Sequence, residues 1–348
     1  MKNLIWILFL LLITTACGVN SDSVKPVDDI KTRTELNAVL KTDRLNYEGK
    51  ITGTSLIDKV FPYKDSSLIL ISFGEKTIYF TDLHLNASKR IDLRAKYGAQ
   101  LPAQIYNAFL NKDTLFFADN SYSIKKLNLI SGEFKEIPLN GMIYFSKPYY
   151  LSFSRNGDLV YTFNCFTNTV KNKIKEGDYI GGAIFKPDGN LKKQLALTSD
   201  LFDHDVIGKD IPFYSEFGSR KYIYFEMCRN VLILDSLDNR IALKSFYVNK
   251  DWTKPVFQDG QVSSWVVNNQ PMVEYKDRLI QWPPPGNYEK RGRVVLYDMN
   301  MNPLKVVYLN GLEKSAFYTY TVSGNTLIVF SENRNGDSNL YEFDLSKI

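Results

Sequence analysis

The chain has 348 residues, of which 44% are hydrophobic and 14% aromatic, and its formal net charge is +5. This length and apolar content provide ample material for a hydrophobic core. Lys and Arg are scattered rather than gathered into one patch, which argues against a nucleic-acid-binding protein. Residues 45–348 contain no Pro/Gly/Ser-rich linker, so we predict that they form one domain.

The first segment is typical of an export signal. Lys2 gives a short positive region, Leu4–Ile13 is apolar throughout, and small residues lead into Cys17. Such a run is too short for a permanent transmembrane helix but suits the core of a signal peptide. The ending resembles the bacterial lipoprotein box, in which the Cys is lipidated, although Thr14 stands where that pattern usually has Leu. The resemblance implies a signal peptide at residues 1–16 and lipidation of Cys17. An ordinary secretory signal with a chance cysteine is the alternative.

A predicted tether, residues 17–44, follows the signal. From Gly18 to about Lys31 the residues are small, polar and charged, with Pro26 among them. This composition is typical of a flexible segment without a core of its own. Thr34–Thr42 predicts one or two helical turns with Thr34 as the cap. The predicted domain then occupies residues 45–348.

A hairpin pattern recurs six times in the domain. A complete copy is a run of alternating apolar and polar residues, a turn rich in Asn, Asp, Gly or Ser, and a second run. Complete copies start at Thr77, Ser123, Gly182, Asn230 and Arg293, and the sixth, from Asn339, stops at Ile348 before its second run. The two-residue period and these turns predict β-strands joined in hairpins. A tight turn feeding an apolar strand precedes every copy, and one more short strand precedes that turn. Each unit therefore holds four predicted strands.

Repeats of this kind predict an all-β fold, a six-bladed β-propeller with four-stranded antiparallel blades. We name the strands of each blade a to d from the central channel outward. The last unit ends at Ile348 without its outer strand, which would leave an unpaired edge. We therefore predict that an N-terminal strand closes the ring by pairing with the last blade. The predicted segment is Leu45–Gly53, and its predicted partner is Asn339–Leu345.

The chain resembles the six-bladed propeller lipoproteins of Bacteroidota, which include TolB-like members and families of unknown function. The resemblance lies in the lipoprotein box, the count of six units and the aromatic-rich, Asn/Lys-rich character. The Trp-Asp ending of WD40 repeats, the paired Gly of kelch repeats and the sialidase box are absent from the sequence. The resemblance implies a location, the outer membrane on its periplasmic or its outer face. It carries over no functional residue.

The long loops predict a binding face. In a propeller the a–b and c–d turns lie on one face, and the b–c loops and d-to-a crossings lie on the other. The long segments all fall on the second face, and long loops on a rigid scaffold usually carry function. The candidate ligand-binding residues on that face are Asp203, His204, Asp205, Trp252, Trp265, Trp282, Tyr288 and Arg291.

Each of these candidates also has a structural alternative. A His between two carboxylates suits metal binding or acid–base chemistry, but a solvated loop residue is the interpretation we favour for His204. The only other histidine, His84, falls in a c–d turn on the opposite face, so no metal site is predicted. The tryptophans can stack on sugars or anchor a partner, or they can cap the core beneath the loops. Arg291 belongs to a charged run that suits an anionic ligand or a solvated shoulder.

These features predict a non-catalytic ligand- or protein-binding scaffold. Its predicted partners are the membrane, through the lipid anchor, and a protein or a glycan; no cofactor is predicted. The sequence contains no phosphate-binding loop, no Gly-x-Ser-x-Gly elbow and no His-Glu-x-x-His motif. The alternative is a carbohydrate-active hydrolase or lyase with carboxylates at the mouth of the channel. No individual catalytic residue can be named from the sequence.

Overall fold

The computed structural model describes most of the chain from residue 26 onward. The described ranges are 26–42, 44–47, 50–53, 57–64, 67–101, 104–105, 107–119, 123–141, 148–167, 179–201, 212–226, 228–248, 257–258, 261–262, 271–283, 292–312, 317–332 and 338–348. Of the predicted site residues, Cys17, Asp203, His204, Asp205, Trp252, Trp265, Tyr288 and Arg291 lie outside them. Only Trp282 lies within.

Six antiparallel sheets follow one another along the chain as the blades of a β-propeller. Blade one has the strands Lys59–Tyr63, Ser67–Ser72, Thr77–Asp82 and Asn86–Asp92. Blade two has Asn107–Asn111, Thr114–Ala118, Ser123–Asn128 and Phe134–Pro138, and blade three has Pro148–Phe153, Leu159–Thr167, Tyr179–Phe185 and Leu191–Leu197. Blade four has Pro212–Phe217, Arg220–Phe225, Asn230–Leu234 and Arg240–Ser245, and blade five has Val273–Tyr275, Arg278–Gln281, Gly292–Tyr297 and Pro303–Asn310. Blade six contributes Phe317–Ser323, Thr326–Glu332 and Ser338–Asp344.

The predicted all-β six-bladed propeller is confirmed. Short elements connect the blades: an α-helix at Leu93–Tyr97, a hairpin at Phe257–Gln258 and Gln261–Val262, and 3-10 turns at Gly98–Gln100 and Ser199–Leu201. Two further 3-10 turns, Val27–Asp29 and Leu345–Lys347, lie before the first blade and after the last. The a–b and c–d turns are two to five residues long, and the long connections fall on the other side of the disc. We call these sides the short-turn face and the long-loop face.

The hydrophobic core is divided into six clusters, one between each pair of neighbouring blades. Apolar residues alternate along each strand, so one set packs on the preceding blade and the other set on the following blade. The a strands of neighbouring blades contact each other where blades two and three, three and four, five and six, and six and one meet. These a strands therefore surround a central channel.

A recurring aspartate explains why the c–d hairpins fold alike. In blade four, Asp235 Oδ1 accepts hydrogen bonds from the backbone N–H groups of Leu237 and Asn239, and Oδ2 accepts one from Asn239 Nδ2. The same contacts recur around Asp82 in blade one and Asp298 in blade five. An Asp side chain that satisfies the next backbone donors fixes a tight turn. The spacing Asp-x-x-x-Asn is thus the local code of these hairpins.

The N-terminal segment closes the ring, as predicted, but through a different strand. Val39–Thr42 pairs antiparallel with Ser338–Asp344, with Val39 opposite Glu342 and Leu40 opposite Tyr341. The prediction that Leu45–Gly53 is the closing segment is wrong. Its residues belong to a hairpin, Arg44–Tyr47 and Lys50–Gly53, whose first strand lies parallel to the outer strand of blade one.

The chain before the closing strand also belongs to the ring. Arg33–Asn37 lies parallel to Pro303–Asn310 as a fifth strand of blade five. The helical turns predicted over Thr34–Thr42 are therefore wrong, because both halves of that segment pair with blade edges. We call residues 26–42 together with the hairpin strands Arg44–Tyr47 and Lys50–Gly53 the N-terminal belt. It runs along the outer edges of blades five, six and one.

Part of the predicted tether is buried. Val27 and Ile30 belong to the core cluster between blades four and five, and Leu36 belongs to the cluster between blades five and six. The Val27 N–H donates to the carbonyl of Val248 at 2.8 Å. At least residues 26–42 of the predicted tether, residues 17–44, are therefore fixed to the disc.

Candidate functional site

A cavity of about 350 Å³ lies in the central channel. Its wall comes from the a strands of blades two to six and from Pro271 and Met272, which precede the a strand of blade five. Phe153, Phe217 and Val322 stand at the ends of their strands, just before the a–b turns. The cavity is therefore nearer the short-turn face, whereas the sequence predicted the binding residues for the long-loop face.

Aromatic side chains form much of the cavity wall. Phe109 and Phe153, from blades two and three, have ring centroids 5.3 Å apart. Tyr150 packs edge-on against Phe213 of blade four at 5.2 Å. Among the described residues, the Tyr150 hydroxyl has no hydrogen-bond partner, and burial raises the pKa of Tyr150. The wall thus offers apolar ring surface and one phenol that is available to a ligand.

Two carboxylates line the same cavity, Glu216 on the a strand of blade four and Glu274 on that of blade five. Glu216 Oε2 accepts hydrogen bonds from the Tyr214 hydroxyl and from the Arg155 backbone N–H, each at 3.1 Å. Burial and the nearby charge of Asp277 raise the pKa of Glu274, while Arg155 acts in the opposite direction. The two acids therefore stand in different environments.

A second cavity, of about 260 Å³, opens beside the first between blades three and four. Its walls carry charged pairs: Lys192 with Asp158 at 2.6 Å and Lys221 with Asp238 at 2.7 Å, the latter also paired with Lys193. Arg155 belongs to this cavity, where its Nη1 donates to the carbonyl of Gly218 at 2.9 Å. Because most of these charges are already paired, the groove serves blade packing more readily than ligand binding.

Trp282, the one predicted binding residue within the described ranges, is a core residue. Its side chain is only 5% exposed and belongs to the cluster between blades five and six. Its ring packs against that of Tyr320 at 5.7 Å, and its backbone N–H donates to the Tyr320 hydroxyl at 3.1 Å. Of the two interpretations given for the tryptophans, a ligand contact or a cap on the core, Trp282 therefore fits the second.

The channel residues Tyr150, Glu216 and Glu274 were not predicted from the sequence. A partial signal exists, because Glu216 and Glu274 each stand two residues before an a–b turn. Which a-strand side chains meet at the centre depends on ring closure over five blades, and no short motif encodes that.

Within the described residues, no three His, Cys, Asp or Glu side chains group closely enough to hold a metal ion. No described helix is both long and apolar enough to span a membrane.

Comparison with known proteins supports the fold. No model of a known protein family matches the chain, and no curated protein sequence matches it. The chain is similar to the solved structure of a Bacteroides fragilis protein inferred to be exported, with 9% identity, a TM-score of 0.53, and coverage of 92% of this chain and 96% of that one. It also resembles virginiamycin B lyase of Staphylococcus aureus, with 12% identity, a TM-score of 0.49, and coverage of 88% and 99%. A third similar structure is the C-terminal WD40 domain of Sif2, with 11% identity, a TM-score of 0.47, and coverage of 90% and 96%.

These likenesses concern the fold alone, because the sequences are so different. The six-bladed propeller within the predicted family resemblance is confirmed by the blade topology itself. Membership of a lipoprotein family, or of its TolB-like branch, stays a prediction.

Proposed function

We propose that this chain is an exported binding propeller that holds a ligand in its central channel without transforming it. The cavity of about 350 Å³ carries this proposal. Small-molecule sites occupy roughly 300–1,000 Å³ and combine apolar walls with a few polar groups. The cavity meets both conditions, and its walls are β-strands of five blades, which hold their side chains in fixed positions.

The two serine hydroxyls in the cavity favour binding over catalysis by a serine nucleophile. Ser152 Oγ donates to the carbonyl of Tyr214, and Ser215 Oγ lies 3.4 Å from the Tyr224 hydroxyl. A catalytic serine needs a general base within hydrogen-bond reach. Both serines are instead engaged with groups that are neutral at physiological pH, so they support blade packing.

A glycosidase or lyase is the second candidate, and the carboxylates at the channel mouth favour it. Glu216 accepts two hydrogen bonds, whereas the pKa of Glu274 is raised chiefly by burial. Two acids in contrasting environments are the pattern of an acid and a base, or of an acid and a nucleophile. Under this alternative, Glu274 is the general acid.

One experiment separates the two functions. The mature protein is incubated with a panel of oligosaccharides and polysaccharides, and new reducing ends and unsaturated products are measured for the wild type, E216Q and E274Q. We expect no product from any of the three. Turnover by the wild type that is lost in E274Q would replace the binding proposal with the enzyme. Ligand binding without turnover would support the binding proposal.

We further propose that Cys17 is lipidated and holds the disc at the outer membrane. The apolar run before Cys17 and the likeness to a protein inferred to be exported support export. Val27 and Ile30 are part of the disc core. The nine residue steps from Cys17 to Pro26 can span at most about 30 Å, so a lipidated Cys17 would keep the rim at blades four and five close to the bilayer.

The anchor is tested with Cys17→Ser. In cells that process lipoproteins, we expect the wild type in the membrane fraction and C17S in the soluble fraction or unprocessed. Labelling with an alkyne fatty acid gives an independent readout. A C17S variant that stays in the membrane fraction would refute the lipid anchor but not the channel site.

The long-loop face stays a separate proposal for a protein or glycan partner. His204 and Trp252 are its best probes, because the sequence predicts both for long segments of that face. A glycan array and a pull-down with H204A and W252A test it directly. If both variants still bind the same glycan or partner protein as the wild type, His204 and Trp252 are not part of the binding surface.

A further inference from the structure

We propose that the ligand of the channel cavity is an organic cation, an ammonium group attached to an apolar or aromatic body. This inference rests on the proposed channel site and names the chemistry of its ligand. Three properties of the cavity carry it: the sign of its charges, its aromatic rings and its open hydrogen-bond acceptors.

The charged side chains that line the cavity are all acidic. Glu216 and Glu274 line it, and no described Lys, Arg or His side chain does. Asp277 adds a third negative charge close to Glu274. Two basic side chains of the second cavity act on these acids, Arg155 on Glu274 and Lys192 on Glu216. The Arg155 guanidinium donates to the Gly218 carbonyl, and Lys192 is paired with Asp158, so neither lines the channel cavity. An anionic ligand would meet two unfavourable charges, whereas a cation would be attracted by both.

The aromatic wall favours a cation that carries apolar surface. Phe109, Phe153, Phe217 and two tyrosines, Tyr150 and Tyr214, line the cavity beside the two acids. The face of an aromatic ring attracts ammonium groups, and the attraction grows when water is excluded. Met272, Val273 and Val322 add apolar surface that suits the body of the ligand. A hydrated metal ion would gain nothing from such a wall.

The open acceptors match the donors of an ammonium group. Within the described residues, Glu274 makes no hydrogen bond and no ion pair, and the bonds of Glu216 all go to its Oε2, which leaves Oε1 open. The Tyr150 hydroxyl adds a third open group on the wall. A primary ammonium has three donors and no acceptor, so acceptor-rich walls satisfy it fully. A neutral sugar, which must also have its acceptors satisfied, would find few donors here.

Three probes of the same size and different charge test the inference. They are 2-phenylethylamine, 2-phenylethanol and phenylacetate, titrated calorimetrically at pH 7 into the mature protein. We expect the amine to bind at least about tenfold more tightly than the alcohol, and phenylacetate more weakly still. E274Q and E216Q should each reduce the preference for the amine about fivefold or more, because each removes one attractive charge without changing shape.

Glu133→Gln is the matched control, since Glu133 is an exposed carboxylate in a c–d turn of blade two, away from the cavity wall. It should leave all three affinities unchanged. Circular dichroism and melting curves of each variant show whether it is folded, and Phe217→Ala should weaken the amine and the alcohol alike.

The outcomes separate the ligand chemistry from the channel site. Equal affinity for amine and alcohol, or tighter binding of phenylacetate, with sensitivity to F217A, would overturn the cationic ligand and keep the channel site. Binding of the amine that is unchanged in E216Q, E274Q and F217A would overturn both. No binding of the amine would also overturn the cationic ligand. In that case a fragment screen in which no hit responds to F217A would overturn the channel site as well.

Discussion

Asp28 in the N-terminal belt and Arg293 in the third strand of blade five form an ion pair, with Oδ1 and Nη1 3.1 Å apart. The Arg293 side chain is almost entirely buried, whereas Asp28 is half exposed. The pair joins the start of the described chain to a strand 265 positions later. It lies beside Val27 and Ile30, so a charge pair and an apolar contact fix the belt at the same place.

Removing this ion pair should loosen the belt. In Asp28→Ala, Arg293 loses a carboxylate partner, and we expect the free energy of unfolding to fall by about 1–2 kcal/mol. The half-exposed position of Asp28 keeps the loss below that of a fully buried pair. Chemical denaturation measures it. Asp29→Ala, a neighbouring exposed carboxylate, is the control and should change stability by less than about 0.5 kcal/mol.

The apolar side of the same contact gives a second prediction, for Val27→Ala. Val27 is 0% exposed, whereas Val39, also in the belt, is 56% exposed. Shortening Val27 opens a cavity between blades four and five, and we expect a loss of about 2 kcal/mol. Val39→Ala should cost well under about 1 kcal/mol, since it leaves no cavity. Equal melting temperatures for V27A and the wild type would show that the belt does not contribute to global stability.

The blades were predictable from the sequence because each one repeats a local code. A two-residue apolar period and a turn such as Asp235-x-x-x-Asn239 specify a hairpin without reference to the rest of the chain. Five c–d hairpins and the strand predicted from Asn339 are therefore confirmed, and the predicted starts lie within three residues of the observed strands.

The belt was not predictable in the same way. Arg33–Asn37 and Val39–Thr42 are short and contain few apolar residues, and their strand conformation comes from pairing with Pro303–Asn310 and Ser338–Asp344. In isolation, the composition of TELNAVLKT favours a helix, so tertiary pairing overrides the local preference. The channel cavity is hidden for a related reason: its wall comes from five blades, each contributing only a few side chains.

The turn aspartates predict a pH dependence of stability. Hydrogen bonds from the side chain and backbone of Asn239 lower the pKa of Asp235 below its ordinary value. The stability that this lowered pKa contributes is fully present above the pKa of Asp235 in the unfolded chain, which is about 4. It is lost as the pH falls through the lower pKa of the folded protein. In Asp235→Asn we therefore expect reduced stability at pH 7, with the difference from the wild type shrinking toward pH 2.

Denaturation midpoints measured from pH 7 to pH 2 test this expectation. Asp29→Asn is the control, because Asp29 is an exposed carboxylate of the N-terminal belt, away from the c–d turns. Its profile should stay parallel to that of the wild type through this range. A constant difference between D235N and the wild type at all pH values would show that the turn does not depend on the charge of Asp235.

The junction between blades two and three gives the last prediction, based on two glycines with similar backbone angles. Gly189 has φ +86° and Gly157 has φ +82°, so alanine at either position enters the left-handed region at a cost of about 1–2 kcal/mol. Around Gly157 a Cβ would meet nothing within 4 Å, whereas at Gly189 it would overlap the backbone oxygen of Pro138 and approach Ile137. The carbonyl of Gly189 also accepts a hydrogen bond from the Asn140 N–H at 2.9 Å, which ties blade three to the chain leaving blade two.

Gly189→Ala must therefore displace backbone as well as adopt a strained angle. We expect it to lose at least about 2 kcal/mol more than Gly157→Ala, because the Pro138 backbone cannot move aside as a flexible side chain would. Urea denaturation of both variants measures the difference, and hydrogen exchange at Asn140 reports whether the junction opens. Equal losses in the two variants would mean that the blades separate there without cost, and that the contact between Gly189 and Pro138 does not hold them together.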